Sequence, residues 1–89
     1  MRNARVDSNQ KEIVEAYRRY GATVKHVYQL KNLFDILVYY KGKTYSVEIK
    51  TTKNGKLTPG EVQCKRDIER VGVTYHVVWD VESALNILK

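Results

Sequence analysis

The sequence has 89 residues, 43% of them hydrophobic, enough for one thin-cored domain over 1–89 and not for two. Its single cysteine, Cys64, excludes an internal disulfide and a multi-cysteine zinc site, and no apolar run approaches membrane-spanning length. Sixteen Lys and Arg against ten Asp and Glu give a net charge of +6, which favours a polyanionic partner over a membrane surface, since no helix joins a basic face to a broad apolar one. With no hydrophobic signal segment after Met1, a soluble protein of a reducing, intracellular compartment is expected.

Arg2, Arg5, Arg18 and Arg19 make a first basic region. A helix is predicted from Asp7 or Ser8, where Asp7 and Gln10 have capping-box spacing; Ile13, Tyr17 and Tyr20 recur at helical period, and Gly21 stops it. A short strand follows over Thr23–Tyr28. The next, Asp35–Tyr40, is a nearly continuous apolar run expected to be buried on both faces. Lys41-Gly42-Lys43 turns the chain into a hairpin partner over Thr44–Thr51, and Asn54-Gly55 marks a further turn.

A second helix has three agreeing start signals: Thr58 as N-cap, Pro59 at the first helical position and Glu61 closing a capping box. Cys64, Ile68 and Val71 form its apolar stripe, and Gly72 ends it. Val73–Trp79 reads as a strand, and Asp80 caps a last helix carrying Ala84, Leu85 and Leu88. The order αβββαβα predicts an α/β fold, a mixed four-stranded sheet flanked by helices. Trp79 and most of the seven tyrosines are expected in the core, with Tyr28, Tyr39 and Tyr40 as alternatives for an interface. His26 and His76 lie too far apart in sequence to suggest a ligand pair and are expected as core or surface residues.

The informative segment is Asp35, twelve residues, then Glu48-Ile49-Lys50. Alternation along the strand puts Glu48 and Lys50 on one face, roughly 7 Å apart, while Tyr45, Val47 and Ile49 point into a core. Asp35 opens the adjacent hairpin strand and can join them. Phosphodiester cleavage needs charge neutralisation at the phosphate and an activated water. Two carboxylates and the Ile49 carbonyl between them are hard oxygen ligands suited to Mg²⁺, with Lys50 beside them to hold the water or stabilise the phosphate. The same spacing also fits a plain surface hairpin with Glu48 and Lys50 solvated. From Lys41 to Lys56 five lysines face one acid, so Lys53 and Lys56, with Arg2 and Arg5, are the expected DNA-backbone contacts.

Phe34-Asp35-Ile36-Leu37-Val38 followed by Ser46-Val47-Glu48-Ile49-Lys50-Thr51-Thr52 resembles the nuclease core of the PD-(D/E)XK superfamily, whose restriction-endonuclease-like order of elements is the same. Asp7-Ser8-Asn9-Gln10-Lys11-Glu12-Ile13-Val14, Gly21, the Asp35 and Glu48-Ile49-Lys50 set and Lys56-Leu57-Thr58-Pro59 are similar to stand-alone VRR-NUC proteins of phages and bacteria, which resemble archaeal Holliday-junction resolvases. The resemblance implies an endonuclease dependent on Mg²⁺ or Mn²⁺, acting on branched DNA as a homodimer in the cytoplasm of a bacterium or phage-infected host. One departure stands out: where such proteins show Gly-x-Pro-Asp, this chain has Asn32-Leu33-Phe34-Asp35. Related nucleases also add an acid from the first helix. Here Gln10 lies beside the apolar face and Glu12 falls toward solvent, so Gln10 is expected either at the metal site, its amide binding water there, or in the capping box. Gln63, early in the second helix, corresponds to a glutamine that related nucleases carry near the catalytic lysine, or is an exposed helical residue. A non-catalytic DNA-binding module on this fold is the alternative function, and RNA as substrate stays open because a phosphate-centred mechanism does not read the sugar.

Overall fold

The computed structural model describes residues 9–89. Its elements are α1 (Gln10–Arg19), β1 (Thr23–His26), β2 (Ile36–Tyr40), β3 (Lys43–Ile49), α2 (Pro59–Glu69), β4 (Tyr75–Val78) and α3 (Val81–Asn86), the αβββαβα order that the sequence predicts. The sheet order is β1-β2-β3-β4: the first three strands form an antiparallel meander, and β4 returns parallel to β3 through α2. No described helix is long and apolar enough to cross a membrane.

Local chemistry explains most boundaries. The β2–β3 hairpin pairs Tyr40 with Lys43 around Lys41 (φ 50°) and Gly42 (φ 80°). Two left-handed residues in a two-residue loop make a type I′ turn, whose twist matches the strands. The α2 start forms as expected: Thr58 Oγ1 accepts the Glu61 N–H, Glu61 accepts the Thr58 N–H, and Pro59 occupies the first turn. Asp80 caps α3 through Ser83.

The α1 start differs. Asp7 and Ser8 lie outside the described residues, and the helix begins at Gln10 with Asn9 as N-cap. Gln10 is therefore the first helical residue, not the third position that a capping box with Asp7 requires. β1 ends at His26, short of Tyr28, and β4 begins at Tyr75, leaving Val73 exposed. α2 ends at Glu69, so Val71 falls beyond its stripe and is 73% exposed.

The two sheet faces are covered unequally. α1 and α3 pack on one face, where Ile13, Val14 and Tyr17 meet Val24, Ile36, Val38, Val47, Ile49, Val78 and Ala84. On the other face the covering helix is α2. A helix is about 10 Å wide and strands repeat every ~4.8 Å, so one helix covers about two strands. α2 packs against β4, and Leu37 and Tyr39 on the β2 face beyond it stay partly open. That corrects the expectation of β2 buried on both sides: Ile36 and Val38 are fully buried, Leu37 is half-buried and Tyr39 is 40% exposed. It also corrects the tyrosines. Tyr17 and Tyr75 are buried, whereas Tyr20 and Tyr39 are exposed and Tyr28, Tyr40, Tyr45 and Trp79 are half-buried.

Candidate active site

β3 carries both environments on one strand. Val47 and Ile49 point into the α1–α3 core, and Ser46, Glu48 and Lys50 point toward α2. The hairpin register brings Asp35, one residue before β2, beside the end of β3: its N–H donates to the Val47 carbonyl at 3.0 Å, and its Oδ2 accepts the Ile49 N–H at 2.7 Å. Asp35, Glu48 and Lys50 thus line one cleft of about 440 Å³, together with Ile49 and Glu61.

Glu61 is the residue the sequence reading placed only as a cap. Its Oε1 accepts from Lys50 Nζ at 3.0 Å while also accepting the Thr58 N–H, so the α2 cap anchors the lysine. Lys50 Nζ also sits 3.3 Å from Glu48 Oε2. Gln63 is elsewhere: it is exposed and donates to Asp67 Oδ1 at 2.9 Å along α2, so the position near the lysine that the resemblance gave to Gln63 is held by Glu61.

The electrostatics follow from this packing. Glu48 is 4% exposed, and its carboxyl is pushed up to about 8 by burial first, then by the carboxylates of Asp35 and Glu61, against the pull of Lys50. Its Oε1 is buried without a hydrogen-bond partner. Burial pulls the Lys50 amine down, but its hydrogen bond to Glu61 and the charges of Glu48 and Glu61 outweigh that and leave it above its ordinary value. Lys50 is therefore a held cation. Burial raises Glu61, and hydrogen bonds from the Thr58 N–H, from Lys50 and from the protonated Glu48 carboxyl, with the Lys50 charge, more than reverse it, leaving Glu61 below its usual range.

The approach to Asp35 compensates for the missing Gly and Pro. Asn32 stands where the resemblance expects glycine and adopts φ 63°, the left-handed conformation that Asn tolerates better than most residues. Its side chain rests on Gly60, where a Cβ would overlap the Asn32 amide. The next residue is tied directly: Tyr75 Oη donates to the Leu33 carbonyl at 2.9 Å. After β3 the loop folds back so closely that a Cβ on Gly55 would come within 2.8 Å of Lys50 Cβ. Lys53 and Lys56 are exposed in the same loop, and Arg2 and Arg5 lie outside the described residues.

The first helix contributes amides. Asn9 does not cap its helix with its side chain; Nδ2 instead donates to the Lys50 carbonyl at 3.0 Å and the Trp79 carbonyl at 2.7 Å, bracing the ends of β3 and β4. Gln10 is buried at 3% and Glu12 is exposed. Gln10 Nε2 lies 3.5 Å from His26 Nδ1, its Oε1 is buried without a partner, and it does not line the cleft. Spacing along the sequence does not give this role to Asn9, because its partners lie 41 and 70 residues away.

No family model and no curated protein sequence matches the chain. Among solved structures, one described as a VRR_NUC domain superposes with a TM-score of 0.73, covering 89% of this chain and 88% of that chain at 22% identity. At that identity the likeness lies in architecture alone. The chain thus shares the fold of that VRR_NUC domain structure.

Proposed function

We propose that this domain is an endonuclease that hydrolyses DNA phosphodiester bonds with a bound Mg²⁺ or Mn²⁺, and that it acts on branched or otherwise structured DNA, Holliday junctions included, as a homodimer. The observation that carries the reading is Glu48: a carboxylate buried beside two others, with one oxygen unpartnered and its charged form disfavoured. Lys50 reaches only Oε2, and a buried carboxylate oxygen left without a partner fits a bound metal cation. Among the described residues no group of three or more His, Cys, Asp and Glu is spaced to hold a metal. The donor set is instead Asp35, Glu48 and the Ile49 carbonyl, which suits Mg²⁺, an ion that takes one or two carboxylates and keeps several waters.

When bound, the divalent ion supplies charge neutralisation at the phosphate and an activated water. Asp35 is aimed by the Ile49 N–H, and Glu48 is buried on β3 with its Oε2 beside Lys50 Nζ. Lys50, held protonated by Glu61, offers its N–H groups and charge to a phosphate oxygen and serves as a donor, not as a base. Lys53 and Lys56 flank the cleft and hold the strand backbone; in this reading Arg2 and Arg5 add to that grip. Two-fold pairing of the chain supplies a second site for symmetric cuts in a junction, and the exposed Tyr20 and Tyr39 are available to such an interface.

The test is cleavage of linear duplex, flap, single-stranded and four-way-junction DNA in parallel, each with Mg²⁺, Mn²⁺ or EDTA. Metal-dependent cleavage, strongest on the branched substrates, is expected. Binding without cleavage under every metal condition overturns the nuclease reading and favours a non-catalytic DNA-binding module. Sedimentation equilibrium tests the dimer: a one-chain mass, unchanged by concentration or Mg²⁺, overturns it.

A further inference from the structure

The cleft has a second wall that the chemistry above leaves unused. Besides Glu48, Lys50 and Glu61 it is lined by Tyr28, Leu30, Lys31 and Phe34 from the loop joining β1 to β2. This loop is built, not loose. At its root the Val27 N–H donates to the Asp35 carbonyl at 2.9 Å; the Leu30 N–H closes a turn on the Val27 carbonyl at 3.0 Å; and Tyr75 holds Leu33. The His26 ring meets the Tyr28 ring edge-on, with centroids 5.6 Å apart, which fixes the tyrosine's orientation. Leu30, at the tip, is nevertheless 58% exposed. A hydrogen-bonded loop thus holds an exposed apolar side chain and an aromatic ring in the lining of a charged cleft.

We propose that Tyr28 and Leu30 form a base-binding rim, taking one unpaired nucleotide of the DNA strand beside the scissile phosphate. This deepens the nuclease reading and rests on it for the identity of the polymer. In a paired duplex both faces of each base are covered by its neighbours, so an apolar rim gains nothing from it. An unpaired nucleotide lays its base against Tyr28 and Leu30 while its phosphate faces Asp35, Glu48 and Lys50, and Lys31 meets the charge of the adjoining backbone. Stacking of this kind accepts any base, because every base has a π-face. The substrate class is therefore DNA with unpaired nucleotides at the cut, read by structure and not by sequence.

The experiment measures binding in EDTA, where cleavage plays no part, using a single-stranded oligonucleotide containing 2-aminopurine and a linear duplex of the same length. Binding should quench the 2-aminopurine fluorescence. Tyr28→Ala should weaken single-strand binding about 5- to 150-fold, the range stacking contributes per base, and abolish the quench. Leu30→Ala, which removes an apolar contact, should weaken it by a smaller factor of about 3- to 10-fold. Duplex binding should change less than about two-fold, because backbone charge carries it. Tyr28→Phe should keep the wild-type behaviour, and Lys53→Ala should weaken both substrates alike. Leu30 is exposed, so its variant tests the rim even if Tyr28→Ala destabilises the fold. Equal losses on single strand and duplex, or no loss on either, overturn the rim. Failure of the wild type to cleave with Mg²⁺ or Mn²⁺ overturns the nuclease reading and leaves this binding result standing.

Discussion

Val47 and Glu48 are neighbours on β3, and they live in opposite worlds. Val47 and Ile49 enter the hydrophobic core, with Ile36 and Val38, Tyr17 and Ile13 from α1, and Ala84 from α3. Glu48 and Lys50 enter the face under α2, where the partners are Asp35, Glu61 and each other. The first face gains from burial in proportion to area and tolerates imperfect neighbours. Burial on the second opposes the charges it encloses, so that face holds together only through named hydrogen bonds. Stability is thus concentrated on one side of the sheet, and the strained chemistry on the other, 180° away on the same strand.

The largest expected effect comes from Glu48→Gln, which separates the two roles. If the proposed site is right, cleavage should fall more than about 100-fold, since a ligand and its charge are lost. Without metal, however, the variant should be more stable than wild type at alkaline pH. The folded Glu48 pKa is about 8 against an ordinary 4.5, so its contribution is intact below 4.5 and is lost as pH rises through 8. The other shifted groups act outside that range or weakly within it: lowered Glu61 costs stability only as pH falls below its ordinary value, burial-lowered His76 matters below about neutrality, and Cys64, raised by burial and by nearby acids, matters above its ordinary 9. Melting curves in EDTA between about pH 7 and pH 8.5 should therefore show wild type losing stability and Glu48→Gln losing less. Parallel curves for the two proteins would show that Glu48 carries no strain.

Ile49→Ala probes the opposite face of the same strand. Ile49 is 1% exposed within the core cluster, so truncation should cost roughly 2–5 kcal/mol of stability. The backbone groups of Ile49 remain, so activity per folded molecule should be retained at low temperature. Denaturant titration paired with cleavage rates checks both halves. A large loss of rate at full folding would mean that the two faces are coupled through the strand.

The contrast also decides what could be read from the chain. The apolar face is periodic, so Ile13, Tyr17, Val47 and Ile49 announce themselves, as does the local grammar of Thr58-Pro59-Gly60-Glu61. The shared face of Glu48 and Lys50 follows from alternation alone, and Asp35 from the hairpin. The partners of those charges do not follow. Glu61 satisfies its capping box and ion-pairs with Lys50 at once, and only the packing of α2 on β3 reveals the second role. Gln63, two residues on, points elsewhere because two helical residues differ by about 200°. The open part of the α2 face exposes Tyr39, since apolar composition on a strand says nothing of whether a helix is wide enough to cover it.

Asn9 is the brace across the comparison, reaching from α1 to the Lys50 carbonyl. Asn9→Ala should cost about 1–3 kcal/mol, because two carbonyls lose a buried donor, and it should lower kcat with little change in KM for DNA. Asn9→Asp should be worse, since a carboxylate repels both carbonyls. Loss of stability with kcat preserved would reduce Asn9 to a tie between elements.

The smallest effect separates Gln10 from Glu12. Both sit in the first turn of α1, one buried and one exposed. Gln10 is packed near His26, outside the cleft lining, with a buried oxygen that has no protein partner. If that oxygen accepts from water reaching the metal site, Gln10→Ala should slow turnover by about tenfold, the lower end of what outer contacts contribute around metals. Glu12→Ala should leave the rate unchanged. Because removing a buried amide also perturbs α1, melting curves must accompany the rates, and Gln10→Glu supplies the control. A carboxylate there adds negative charge near the site: it should tighten Mn²⁺ binding if Gln10 faces the metal's surroundings, and only lower the melting temperature if it does not. Equal rates for Gln10→Ala and Glu12→Ala, with Mn²⁺ affinity unmoved in Gln10→Glu, would return Gln10 to a packing role.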